Sequence, residues 1–378
     1  PPGPLEGRSS APGGGPAVSH VVRDALAVAV QIGQPALLWG APGEGKSRVV
    51  EEIAGQLDRA CEVVVGSVRE AADFAGLPVR IGESVSFAPP RWAQRCVDRP
   101  DTVVFLDELT TAAPQVQAAM LRVVLEREVG DLRLPAQVSF VAAANPPELS
   151  AGGDDLAPPL ANRFCHLEWQ AITAQWVTGM LSGWEPVAVP VVPPSWSAEA
   201  VRWRALLAGF ISARPSVLRD VPTDVVAQGR AWPSPRSWDH AHRAAAAAEA
   251  AGAGKEVRHV LVAGLVGAGP AIEFLRFADT ADLPDPEALL ATPAALPTQV
   301  RVDLLLASLA SVVTAVAGRL TEDRWLAAWD VLAVACDAGR ADLAAVAATT
   351  LVDLREPGWP APPSAAAFAP VLRAAALV

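Results

Sequence analysis

Between about residue 18 and residue 169, short apolar runs alternate with stretches whose apolar residues recur every three or four positions. The runs at 36–39, 61–65, 102–106, 138–143 and 164–168 predict five strands. The helically spaced stretches at 45–59, 114–127 and 155–161 predict helices between them. Strands that alternate with helices in this way predict an α/β unit, a mostly parallel sheet with helices on its faces. Residues 82–90, between the second and third strands, add a hairpin or loop that projects from this core. At 185–195 the chain turns Pro-rich (EPVAVPVVPPS), the mark of a linker. Beyond it the pattern is helical and Ala-rich to residue 378, with breaks at 232–235, 283–286 and 360–363. Residues 1–17 are rich in Pro and Gly with almost nothing to bury, which predicts a flexible arm.

Composition narrows the function classes. The 378 residues are enough for two or three domains, and 51% are apolar, ample for sizeable cores. A formal charge of -11, with no basic run, argues against nucleic acid as the main partner. The longest apolar stretch, 304–318, lies between Asp303 and Arg319 and falls short of the ~20 residues a bilayer requires. With no basic-then-apolar leader at the N-terminus, a soluble cytoplasmic protein without membrane contact is expected. The chain begins without Met, so a preceding piece could be missing. Cys61, Cys96, Cys165 and Cys336 are scattered, which predicts free thiols rather than disulfides or a metal site.

The first candidate chemistry sits directly after the first strand. Gly40, Ala41, Pro42, Gly43, Glu44, Gly45, Lys46 and Ser47 satisfy GxxxxGK[ST] between an apolar strand and a helix, the context this phosphate-binding loop needs. Its glycines let backbone N–H groups turn inward toward phosphates, and the helix N-terminus adds partial positive charge. Lys46 is placed to reach the β- and γ-phosphates and Ser47 to ligate Mg²⁺, so ATP and Mg²⁺ are the expected ligands. Lys46 and Lys255 are the only lysines, and Gly254-Lys255 lacks the glycine spacing. Glu44 is an uncommon choice because a carboxylate near phosphate is unfavourable. It is expected to point outward, with slowed catalysis as the alternative.

The second candidate site closes the third strand. Val103–Leu106 is apolar, and Asp107 and Glu108 then emerge at the C-terminal edge, where open α/β sheets bind ligands. Asp107 is placed to hold Mg²⁺, and Glu108 to orient or deprotonate the attacking water.

With FVAAANPPE at 140–148, these motifs resemble the AAA+ superfamily, and more closely its MoxR-like branch. The resemblance covers about residues 18–290 and includes SVREAADFAGLP at 67–78. It implies a P-loop AAA+ core at 18–185 and an all-helical lid at 196–290, on either side of the Pro-rich linker at 186–195, while residues 291–378 are expected as a helical extension outside the resemblance. It makes Asn145 the residue that senses the γ-phosphate, although an Asn before Pro146 could simply start a turn. In LANRF, Arg163 matches the arginine finger that enters a neighbour's site; pairing with Asp154 or Asp155 is the plainer role. In WPSPRSW, Arg236 matches the second sensor on the lid, or it could help cap a helix starting at Ser234. The resemblance further implies a homo-oligomeric ring, expected as a hexamer, that remodels a client protein, often one with a von Willebrand A-type domain.

His240 and His242 do not share a helical face and are expected as satisfied surface histidines. The tryptophans are expected to pack between helices. In SVSFAPPRW, Phe87 and Trp92 either grip a client or fill the base of the projection. Two rival functions stand beside the ATP-driven remodeller, an ATP-gated switch or scaffold with little turnover and a nucleic-acid motor.

Overall fold

Strands with apolar residues at every position must be covered on both faces. In the computed structural model, which describes residues 20–146, 149, 156–184 and 187–368, they are. Residues 1–17 lie outside the described residues, as do Asp154 and Asp155. The elements of the first part run α1 (His20–Gln31), β1 (Ala36–Trp39), α2 (Lys46–Gln56), β2 (Ala60–Val65), α3 (Ala72–Ala75), β3 (Leu77–Ile81), β4 (Ser84–Ala88) and α4 (Arg91–Asp98). They continue with β5 (Thr102–Asp107), α5 (Pro114–Glu126), β6 (Glu128–Val129), β7 (Leu132–Arg133), β8 (Ser139–Ala144), α6 (Pro158–Ala161), β9 (Cys165–Glu168) and α7 (Thr173–Ser182).

Five strands form one parallel sheet in the order β2-β5-β8-β1-β9. They correspond to the five expected strands, each within one residue of its expected ends. Because side chains alternate across a sheet, Leu37, Trp39, Leu106 and Ala142 share one face and pack with Trp92 of α4 and Val116 and Met120 of α5. Helices α1 and α2 also lie against the strands and bury Leu26, Val28, Val49 and Ile53. The register Leu37↔Ala142 and Leu37↔His166 aligns the C-terminal ends of β1, β8 and β9, so the loops leaving those strands converge at one edge.

The helical part, described from residue 192 to 368, forms a compact unit of its own. It contains α8 (Trp196–Ala213), α9 (Val225–Gln228), α10 (Pro235–Ala250), α11 (Lys255–Val266), α12 (Ala268–Thr280), α13 (Pro286–Ala291), α14 (Val302–Gly318), α15 (Glu322–Asp337) and α16 (Ala341–Asp353). The expected boundary at 290/291 falls inside this unit, because α8 packs against both α10 and α14. Two aromatic clusters anchor it. Trp203, Phe210, Trp238, Phe274 and Phe277 join α8, α10 and α12. Trp325, Trp329, Trp359 and Phe368 join α15 to the segments after α16. Among the described residues no helix is long and apolar enough to cross a membrane.

His242 is not the surface residue expected from the sequence, and His240 is half-buried. His242 is 2% exposed, with both ring nitrogens out of contact with solvent. Burial pulls the His240 pKa down to about 4 and also lowers that of His242, with Asp239 only partly offsetting it. On α10 the exposed Arg236 and Asp239 mark a polar face beside His240, whereas His242 lies among buried Trp238, Ala241 and Ala245 on a helix against which α8 and α11 pack. The unfolded chain takes up a proton near pH 6.5, whereas folded His240 does so only near 4. Its stabilising contribution is therefore complete above 6.5 and is lost as pH falls toward 4. The thermal midpoint is expected to shift downward between about pH 6.5 and 5, as stability falls by at most about 1.4 kcal/mol per pH unit for His240, with His242 acting in the same direction. A midpoint unchanged across that window would mean that the folded unit accepts these protons.

Candidate functional site

The loop between β1 and α2 gets its shape from residues that can bend and approach closely. Gly43 (φ 83°) and Gly45 (φ 79°) adopt left-handed conformations that favour glycine. At Gly40 a Cβ would stand 2.4 Å from the Trp169 carbonyl oxygen, so only glycine lets the loop start against the segment after β9. Lys46 then opens α2 with its side chain buried. Its ammonium donates to the carbonyls of Gly40 (2.6 Å) and Ala41 (3.0 Å) and to Asn145 Oδ1 (3.2 Å). Its three donors are thereby matched by three acceptors. Burial lowers the Lys46 pKa, opposed by the Asp107 and Glu44 carboxylates. An incoming anion would relieve that desolvation.

One residue further on, Ser47 Oγ donates to Asp107 Oδ2 at 3.0 Å, bringing the end of β5 to the start of α2. Asp107 Oδ1 accepts the Glu108 N–H at 2.9 Å. Glu108 itself is exposed and left-handed (φ 57°), and its carboxylate accepts a hydrogen bond from Ser67, just after β2. Gly43, Lys46, Ser47, Asp107, Glu108 and Asn145 all line one cavity of about 390 Å³. The fit to a nucleotide's phosphates and a divalent cation is chemical. Open space faces Gly43, a cation and a helix N-terminus meet there, and the Ser47 hydroxyl and Asp107 carboxylate form a hard oxygen pair.

Four expected residues are not among those lining the cavity: Gly40 and Ala41, which turn their carbonyls to Lys46 at the start of the loop, and Arg163 and Arg236. Arg163 follows α6, and its guanidinium donates to the Pro159 carbonyl, while Gln34 Nε2 donates to the Arg163 carbonyl at 3.3 Å. Arg236 is exposed in the first turn of α10, in the second compact unit. The N-cap of that helix is Ser234, which forms a capping box with Ser237. Glu44 is not free in solvent; its carboxylate accepts the Ala171 N–H at 2.7 Å.

Several residues around the site carried no sequence signal. Trp39 Nε1 donates to His166 Nδ1 at 2.8 Å, so the proton of the neutral ring lies on Nε2, 2.9 Å from the Ala161 carbonyl. This buried chain ties the root of the phosphate loop to α6, immediately before Arg163. Trp169 was likewise unmarked in the sequence, and Ser67 stood out only as the first residue of the 67–78 segment.

The projection between β2 and β5 is a hairpin, β3 paired antiparallel with β4. Its two aromatic candidates part company. Trp92 is buried in the core beside Phe74 and donates to the Asp73 carbonyl at 3.1 Å. Phe87 is 42% exposed, and Leu77, Ile81 and Val85 also remain exposed on the hairpin. A second, unexpected hairpin, β6–β7, braces the first: Asp131 accepts from Ser86 Oγ (2.6 Å) and the Phe87 N–H (2.7 Å).

Residues 35–164 match the AAA domain family (dynein-related subfamily). No curated protein matches the chain. A solved structure from Cytophaga hutchinsonii ATCC 33406, provisionally described as an ATPase, is similar at 15% identity and a TM-score of 0.41, over 65% of this chain and 83% of that one. The family match runs from the residue before β1 to the residue before β9, and so takes in the phosphate loop, the acidic pair and Asn145. The segment that matches the AAA domain family thus carries the parallel sheet and flanking helices of a P-loop AAA+ fold.

Proposed function

We propose that this chain is a MoxR-like AAA+ ATP hydrolase that acts in the cytoplasm as a homo-oligomeric ring, expected as a hexamer, and remodels a client protein. The observation that carries the reading is the cavity in which Lys46, the Ser47–Asp107 pair, Glu108 and Asn145 meet. Lys46 exchanges its backbone carbonyl partners for phosphate oxygens, with α2's N-terminus beneath them. Mg²⁺, held at Ser47 and Asp107, neutralises charge on the phosphates when bound. Glu108 orients and deprotonates the attacking water, and the Asn145 amide positions it against the γ-phosphate. Arg163 completes the site of a neighbouring copy, which makes turnover depend on assembly. Arg236, as second sensor, reports the nucleotide to the helical unit.

Exposed apolar side chains support the partner side of the reading. Phe87, Ile81 and Val85 on the β3–β4 hairpin suit contact with a client polypeptide, which could include a von Willebrand A-type protein. Trp176, Met180 and Leu181 on α7 also stand exposed. The test is the ATPase rate per chain, with Mg²⁺, across a range of protein concentrations. A rate that climbs with concentration, and that falls by about 10²-fold or more at the plateau in Arg163→Ala, is expected. A flat, near-zero rate would instead favour a nucleotide-gated switch, a reading to which the Ser67–Glu108 hydrogen bond lends support.

A further inference from the structure

The phosphate loop holds a restraint that its motif does not require. Glu44 stands between Gly43 and Gly45, both left-handed, so its own backbone is weakly constrained. Yet Glu44 is gripped at both ends by the segment following β9. Its carbonyl accepts from Trp169 Nε1 at 3.0 Å, and its carboxylate accepts the Ala171 N–H at 2.7 Å. That segment is itself seated on the sheet, because the Trp169 N–H donates to the Trp39 carbonyl at 2.6 Å. Its carbonyl also occupies the space that any side chain at position 40 would need. The loop is thus clamped at its root by contact with Trp169 and at its apex by Glu44.

We propose that Glu44 is a positioning residue for nucleotide binding, a latch that holds the apex of the phosphate loop against residues 169–171 before the nucleotide arrives. This proposal rests on the reading of the cavity as a nucleotide site. It also accounts for a carboxylate where phosphates are to bind: the charge is engaged by a backbone N–H, and the loop arrives preorganised. Two effects of opposite sign can then be separated. Removing the carboxylate lessens repulsion of phosphate, while removing the acceptor frees the loop. Glu44→Gln removes only the charge, since its amide oxygen can still accept from Ala171. Glu44→Ala removes both.

The experiment measures ADP affinity by calorimetry, together with amide exchange across residues 169–172 in the nucleotide-free protein, for wild type, Glu44→Gln and Glu44→Ala. Glu44→Ala is expected to bind ADP about three- to tenfold more weakly than Glu44→Gln, the value of one neutral hydrogen bond. It should also exchange the Ala171 amide faster, with Glu44→Gln close to wild type in that exchange and binding ADP more tightly than wild type because the charge is gone. Equal ADP affinity in the two variants, or Ala171 exchange that Glu44→Ala leaves unchanged, would overturn the latch. If wild type fails to bind ADP, the nucleotide reading itself fails, and the exchange measurement alone still decides whether the latch exists.

Discussion

Glu108→Gln is expected to slow ATP turnover by about 10²- to 10³-fold while leaving nucleotide affinity within about threefold. The amide is isosteric, and its oxygen can still accept from Ser67, so the left-handed turn after β5 has no reason to move. Asp107 keeps its bonds to Ser47 and to the backbone N–H of residue 108, so the cation-holding pair is intact. The substitution removes the proposed base for the attacking water and leaves the carboxylates bonded to Ser47 and Ala171 in place. Single-turnover hydrolysis and ADP titration on the same preparation check this. A variant that turns over at more than about a tenth of the wild-type rate would remove Glu108 from the chemistry. Loss of affinity in step with rate would mean that the residue holds the fold of the site instead.

The largest effect on stability is expected in the helical unit. Trp325 is 1% exposed, stacks edge-on against Trp329 at 6.0 Å, tilts against Trp359 at 5.4 Å and donates to the Leu351 carbonyl at 2.7 Å. Trp325→Ala would leave a cavity between α15 and α16 and a buried carbonyl without its donor. A loss of about 3–5 kcal/mol is expected. Trp325→Phe keeps most of the packing but not the donor, and should cost about 1–3 kcal/mol. Chemical denaturation of the full chain measures both. A loss under about 1 kcal/mol in the alanine variant would show that neighbouring side chains collapse into the space.

Much of the nucleotide domain was legible along the chain because its signals are local. Four consecutive apolar residues at 36–39 can only be a buried segment, and a glycine-rich turn followed by Lys46 and Ser47 has one common chemical use. Asp107 and Glu108 could be placed because a strand's C-terminal edge is where parallel sheets present their chemistry. The bond between Ser47 and Asp107, sixty residues apart, joins motifs that follow β1 and β5, two strands that β8 separates in the sheet. Fold class, phosphate loop and acidic pair were therefore set by residues adjacent in sequence.

The tertiary structure decided which distant side chains meet, because that depends on register and rotamer. Glu44 finds Ala171, Trp39 finds His166 and Ser67 finds Glu108 only once β1, β8 and β9 lie in their observed register and β2 pairs with β5. No spacing along the chain encodes such pairs. Packing likewise decided the burial of His242 and the separate fates of Phe87 and Trp92. On the Ala-rich α10 the polar face lies beside His240 while His242 is buried, and two aromatics five residues apart diverge when one ends a strand and the other begins a helix. Local sequence sets which elements form and what chemistry they carry; the contacts that hold that chemistry in place are set by how those elements pack.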